Sequence, residues 1–263
     1  MTDHITVNTA GGILTLVMNR PDKRNALTDV MYGVLADQIE AARNDAAIRV
    51  IVLRGEGDMF TAGNDVMEFA LSKPGSLTNV LRFIQAIAET DKPLVAAVQG
   101  RAVGIGTTML LHCDYVILAD DAVLSTPFVN LGLVPEAGAS LLLPARIGHL
   151  RAFAMLALGE TVGAADAIAW GLATATVPAD HLVASVEAVA ARIAKQPIGA
   201  VMATKRLMHE NDALAARMVE ESQIFAARLR SPEAREAFTA FAQRRAPEFE
   251  KVSLDETDLR KAQ

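Results

Sequence analysis

Hydrophobic positions in the first half of the chain form short apolar runs, separated by glycine turns and by segments with a helical period. A typical helical segment carries Met31, Leu35 and Ile39 on one face, and Thr28 is placed to cap it. The apolar runs are too short for helices and indicate strands buried on both faces. The predicted strands lie in 4–19 (a pair around Gly11 and Gly12), 49–55, 92–100 and 115–120. Alternating strands and helices of this kind predict an α/β fold.

Helices are also expected directly after residue 65, from about Leu77 to Thr90, and over 104–114, which glycines open. After residue 145 the pattern becomes helical, with a clear stripe from Leu182 to Ile193. We therefore expect a core over residues 1–196 and a helical region over residues 197–263, with the boundary near Pro197.

Composition narrows the classes of function. The net charge of −6 disfavours nucleic acid or an anionic membrane as the main partner, since both need a basic face. Cys113 is the one cysteine, so disulfides are excluded and a reducing compartment is expected. Neither a secretory signal nor an apolar stretch of membrane-spanning length is present, and we expect a cytoplasmic protein. No spacing of side chains indicates a metal site.

Two glycine turns, FTAGND (60–65) and GRAVGIG (100–106), each follow a predicted strand and open a helix. Backbone N–H groups at such a place have no helical partner, and the helix dipole is positive there. If the two turns converge, they form an oxyanion hole, in which each donor contributes about 3–4 kcal/mol to stabilising a developing negative charge. Glycines alone are weak evidence for such a site, and taken by themselves they favour ordinary turns.

One ionisable residue, Glu136, lies within the apolar stretch STPFVNLGLVPEAGASLLLP (125–144). Two interpretations are open. Glutamate directly after proline is common in the first turn of a helix, where it faces the positive end of the dipole. Alternatively, Glu136 is an acid placed in an apolar pocket, which raises its proton affinity and suits it to proton transfer.

Five ordered motifs resemble the crotonase, or enoyl-CoA hydratase/isomerase, superfamily over nearly the whole chain. They are NRPDKRNAL, FTAGNDV, VQGRAVGIGTTMLLHCD, STPFVNLGLVPEAG and GETVGAADAIAWGLA. The resemblance implies a crotonase-like spiral of repeated ββα units, with a helical C-terminal region that builds trimers or dimers of trimers. It also implies an acyl-CoA thioester substrate, whose coenzyme A replaces any separate cofactor, and a thioester oxygen bound by the N–H groups of Asn64 and Ile105.

The resemblance further implies where the substrate binds. The loop with Lys23 and Arg24 borders the adenine and phosphates of coenzyme A in this family, although charged loop residues are also often merely solvated. The other positions expected to contact the substrate are Ala26, Ala62, Gly63, Asp65, Val66, Gly104, Phe128 and Leu133.

Departures from the family pattern point to one activity. Hydratases carry two glutamates, and the matching positions here hold Thr108 and Phe128. Adding water requires a base and an acid, whereas a 1,3-shift of a double bond needs one group that removes a proton and returns it. Glu136 is placed as in monofunctional Δ3,Δ2-enoyl-CoA isomerases, and we expect that activity. The first alternative is an enoyl-CoA hydratase. A dienoyl-CoA isomerase is less favoured, because that activity needs a second acid at the position of Phe128. The remaining alternative is a non-catalytic acyl-CoA-binding homologue.

Overall fold

The structure is a computed structural model that describes residues 3–71, 78–208 and 211–253. Its first element is the predicted β-hairpin. Strands β1 (Ile5–Ala10) and β2 (Ile13–Met18) pair antiparallel around Gly11 and Gly12. Both glycines have positive φ, 59° and 80°, which glycine adopts without a steric penalty and which a tight hairpin turn requires.

The remaining strands are mostly parallel. They are β3 (Val50–Gly55), β4 (Leu94–Val98), β5 (Arg101–Val103), β6 (Tyr115–Ala119), β7 (Val123–Ser125), β8 (Val162–Gly163) and β9 (Ala175–Val177). One sheet has the order β1-β2-β3-β4-β6-β9, parallel from β2 onward, and a smaller sheet has the order β5-β7-β8. The α/β prediction is confirmed.

The described residues form the helices α1 (Asp29–Asn44), α2 (Val66–Leu71), α3 (Thr78–Glu89), α4 (Ile105–Thr108), α5 (Ala139–Ile147), α6 (His149–Leu158), α7 (Ala164–Ala169), α8 (Leu182–Ala194), α9 (Ile198–Leu207), α10 (Asn211–Arg228) and α11 (Pro232–Ala242). α1 and α3 cover one face of the larger sheet, and α8 covers the other. Alternate residues of each central strand face opposite ways: Ile51 and Leu53 pack with α1 and α3, while Val50 and Val52 pack with α8. Burial on both faces explains why these strands are apolar throughout.

Several predicted boundaries change. The helix expected over 104–114 is α4 followed by a 3-10 turn, Met109–His112. The described part of the helix expected from about Leu77 is α3, and Leu77 itself lies outside the described residues. The expectation of helices alone after residue 145 is wrong, because β8 and β9 lie there. β9 is three residues long and half-exposed at the sheet edge, so it leaves no apolar run in the sequence.

The helical stripe from Leu182 to Ile193 forms α8, and Pro197 caps α9, so the expected boundary after residue 196 falls in the turn between these helices. The division into core and C-terminal region stays a prediction. Within the described ranges, no helix is both long and apolar enough to cross a membrane.

Candidate active site

The two glycine turns lie against each other. The backbone N–H of Thr61 donates to the carbonyl of Arg101, and the N–H of Val103 donates back to Thr61, both at 3.1 Å. Gly63 has φ of 84°, and a Cβ atom added to it would lie 2.6 Å from the carbonyl oxygen of Val103 and 4.0 Å from the Cα of Gly104. A side chain at residue 63 would therefore push the turns apart, which is why glycine is needed there.

Asn64 and Ile105 follow Gly63 and Gly104 directly, and their amides are the two predicted oxyanion donors. Within residues 3–71, 78–208 and 211–253, neither backbone N–H donates a hydrogen bond. Ile105 is fully buried. Because it is the first residue of α4, its N–H has no partner within the helix. Two adjacent amides of this kind can bind an oxygen atom that acquires negative charge.

Tyr32 on α1 is a further member of this site. Its hydroxyl donates a hydrogen bond to the side-chain Oδ1 of Asn64. Burial, reinforced by the nearby charge of Glu136, raises the pKa of Tyr32 well above its usual value, so the hydroxyl stays protonated. Because Tyr32 falls on the buried stripe of α1, the sequence predicts only core packing for it.

Glu136 is buried, with 7% of its surface exposed, and it lies before the helix rather than in it. α5 begins at Ala139, so the interpretation of Glu136 as a residue of the first helical turn is wrong. Its Oε1 accepts a hydrogen bond from the Thr108 hydroxyl at 3.0 Å. Burial raises the pKa of Glu136 to about 8, the Thr108 hydrogen bond opposes this rise, and the charge of Glu221 adds to it.

This raised pKa predicts a stability effect of Glu136→Gln. Because the folded-state pKa lies above the unfolded value near 4.5, the carboxyl group contributes its full stability below pH 4.5 and loses it as the pH rises through about 8. Glutamine does not titrate. We therefore expect the free energy of unfolding of the variant, relative to wild type, to increase between these pH values by an amount on the order of a few kcal/mol. Urea denaturation at pH 6 and pH 9 measures it, and a pH-independent difference would contradict the burial effect.

Lys23 and Arg24 are both exposed. Lys23 ends the 3-10 turn Pro21–Lys23, and Arg24 follows it directly. The loop is held against the first oxyanion turn, since the Ala62 N–H donates to the Arg24 carbonyl at 2.9 Å. The buried Asn25 side chain fixes the loop from below by donating to the carbonyls of Glu56 and Met59. The two cations are thus exposed beside the turn that contains Asn64.

The other predicted contact positions surround the same turns. Ala26 is half-buried in the loop, and Val66 begins α2. Asp65 accepts a hydrogen bond from Arg20 at 2.7 Å, and although burial alone would raise the pKa of this carboxyl, the Arg20 bond holds it below its usual value. Phe128 and Leu133 are 4% and 5% exposed, and they form an apolar cluster with residues of the C-terminal helices. A Cβ added to Gly104 would lie 4.0 Å from the Phe128 ring.

Helices α10 and α11 support the segment around Glu136 from within the same chain. Arg228 donates to the carbonyl of Gly132 at 3.2 Å and forms an ion pair with Glu233. Glu221 accepts from backbone N–H groups at the start of α5. The contacts of Arg228 and Glu221 with the segment around Glu136 join residues 81 to 96 positions apart in the sequence, and the sequence pattern alone does not reveal them.

Two unpaired amides near a buried acid can stabilise an oxyanion while a proton moves, which is the chemistry of an enzyme active site. Residues 8–252 match the family model described as enoyl-CoA hydratase/isomerase. The chain therefore belongs to the enoyl-CoA hydratase/isomerase family.

Similar proteins with different activities are found. The chain is 32% identical to the 2,3-dehydroadipyl-CoA hydratase of Escherichia coli (strain K12), over 90% of this chain and 94% of that protein. It is 34% identical to enoyl-CoA delta isomerase 2 of Rattus norvegicus, over 92% of this chain and 64% of that protein. A solved structure described as an enoyl-CoA hydratase/isomerase, from Pseudoalteromonas atlantica T6c, superposes with a TM-score of 0.90, at 39% identity, over 94% of this chain and 100% of that one. The fold prediction is confirmed.

Proposed function

We propose that this protein is a Δ3,Δ2-enoyl-CoA isomerase acting on acyl-CoA thioesters. The observation that carries the proposal is the acid Glu136, which is buried in an apolar environment and accepts a hydrogen bond from Thr108. Thr108 occupies one of the two positions where hydratases carry glutamate. Phe128 at the other position is buried among apolar side chains and offers no group to orient a water molecule. Similarity to the rat enoyl-CoA delta isomerase 2 supports the same activity.

The proposed reaction needs one carboxylate. Glu136 removes a proton from C2 of the 3-enoyl thioester, and the electron pair moves onto the thioester oxygen, forming a dienolate. The N–H groups of Asn64 and Ile105 bind this oxyanion. The protonated Glu136 then returns the proton at C4, and the double bond forms between C2 and C3. A pKa near 8 lets the group act as base and as acid near neutral pH.

An enoyl-CoA hydratase is the second candidate, favoured by the similarity to the E. coli hydratase, and it requires Glu136 to work with a bound water. A non-catalytic acyl-CoA-binding protein is the third. Incubation with 3-enoyl-CoA and with 2-enoyl-CoA separately, followed by absorbance of the conjugated thioester, distinguishes them. We expect absorbance to rise with 3-enoyl-CoA. A fall with 2-enoyl-CoA and no rise with 3-enoyl-CoA would identify a hydratase, and no change with either would identify a binding protein.

We propose that Lys23 and Arg24 bind the phosphates of coenzyme A, which serves as part of the substrate with no separate cofactor. Alanine at both positions removes two positive charges from an acidic protein, so KM is expected to rise at low salt and the difference to shrink at high salt. Replacing Arg192 and Lys195, exposed on α8 and at its end, changes the net charge equally and is the control. An equal rise of KM in both double variants would rule out a specific phosphate site.

Oligomeric state and location complete the proposal. We propose a homotrimer or a dimer of trimers in the cytoplasm, as the family resemblance and the single cysteine suggest. Exposed apolar side chains on α6, namely Leu150, Phe153 and Leu158, are available for contacts between subunits.

A further inference from the structure

Glu221 on α10 is a buried carboxylate that binds the chain next to Glu136. It is 5% exposed, and its two oxygens accept hydrogen bonds from the N–H groups of Gly138 at 2.6 Å and Ser140 at 2.8 Å. Gly138 directly precedes α5 and Ser140 lies in its first turn, where backbone N–H groups have no partner within the helix. One bond to each oxygen is the pattern that an ionised carboxylate accepts.

The hydrogen bond from Gly138 to Glu221 restrains the peptide unit between Ala137 and Gly138, one residue after Glu136. The carbonyl of Ala137 accepts from Nε2 of His112 at 2.7 Å, and the N–H of the same peptide unit, from Gly138, donates to Glu221. This peptide is therefore clamped from both sides. Ala137 has φ of 59°, a left-handed conformation that residues with a Cβ avoid and that surrounding contacts must maintain. The two hydrogen bonds restrain this conformation directly after Glu136, the residue that accepts a hydrogen bond from Thr108.

Glu221 also contributes charge. The charged and titratable groups around Glu136, in the described part of the chain, are Tyr32 from α1, His112 from the turn after α4, and Glu221 and Arg217 from α10. Arg217 donates to the Ser140 hydroxyl and is paired with the neighbouring exposed Glu220. The like charge of Glu221 raises the pKa of Glu136, in addition to the larger effect of burial.

We propose that Glu221 is a positioning residue, which from α10 holds the carboxylate of Glu136 in the orientation needed for proton transfer. The inference rests on the proposed function, because it assumes that Glu136 moves the proton. It gives a helix of the C-terminal region a role in the chemistry of its own chain.

The test compares Glu221→Gln with the matched control Glu220→Gln, which removes a neighbouring exposed charge from the same helix. In the Glu221 variant we expect kcat for 3-enoyl-CoA to fall about 10- to 100-fold while KM changes less than about threefold, because misplacement affects the reacting atoms rather than binding. The midpoint of the rise of kcat/KM with pH, which reports the free enzyme, should move to lower pH. The control should leave both quantities unchanged.

A merely structural role would lower activity in proportion to the folded fraction and leave the pH midpoint unchanged, and that result, or wild-type kinetics, would overturn the proposal. Glu221→Asp keeps the charge but shortens the side chain, so kcat should fall while the pH midpoint of kcat/KM stays at the wild-type value. This variant also tests the proposal if the glutamine variant does not fold. Loss of turnover in Glu136→Gln with wild-type behaviour of the Glu221 variants would reject the positioning role alone. Normal turnover in Glu136→Gln would reject the proposed function itself.

Discussion

Replacing Glu136 with glutamine is expected to lower kcat for isomerisation by about 10²-fold or more, the scale typical of losing general acid–base catalysis. Glutamine keeps the shape of the side chain and an oxygen that accepts from Thr108, but it cannot accept the C2 proton. Binding of acyl-CoA should be unchanged, so KM and turnover separate the two roles.

The control for this variant is Glu160→Gln, an exposed glutamate outside the site. It should retain wild-type turnover. A Glu136→Gln enzyme with turnover near that of the control would remove Glu136 from the mechanism.

Replacing Gly63 with alanine is expected to reduce kcat/KM by about 10²- to 10³-fold, because the added Cβ would lie 2.6 Å from the Val103 carbonyl and must separate the two oxyanion turns. Moving the Asn64 N–H away from that of Ile105 removes one of the donors that stabilise the dienolate.

Gly171→Ala is the matched control, since Gly171 has a similar φ of 80° but no neighbouring atom within 4 Å of an added Cβ. Both variants bear the strain of a left-handed alanine, which costs about 1–2 kcal/mol of stability. Only the Gly63 variant should lose catalysis. Equal losses of kcat/KM in the two proteins would show that strain, and not displacement of the turns, is responsible.

The sequence predicted the fold well where burial leaves a strong pattern. The apolar strands β3, β4 and β6 and the capped helix α1 were predicted close to their observed positions, because each is buried on a regular face. β9 was missed because three half-exposed residues at a sheet edge carry no such pattern. Its strand conformation depends on pairing with β6, a contact between distant parts of the chain.

The candidate site was predictable where chemistry stands out locally. Glu136 stands out in the sequence because one acid lies in an apolar stretch, and the two turns stand out because glycines follow predicted strands; the roles of these residues stay predictions. The sequence does not single out Glu221, although it continues the apolar stripe of α10 formed by the buried Leu214 and the half-buried Met218 and Phe225. An acid on an otherwise apolar helical face is a signal, but its partners at Gly138 and Ser140 emerge only from the three-dimensional structure.

The central claim is that this site moves a proton and excludes water, and one comparison on the wild-type enzyme tests it most directly. The measurement is kcat/KM for isomerisation of 3-enoyl-CoA against kcat/KM for hydration of 2-enoyl-CoA of the same chain length. We expect isomerisation to be far faster, because Phe128 offers no polar partner for a nucleophilic water and the Thr108 hydroxyl, engaged with Glu136, is too weak a base to activate one. Hydration as fast as isomerisation, or faster, would contradict the isomerase assignment and favour the hydratase.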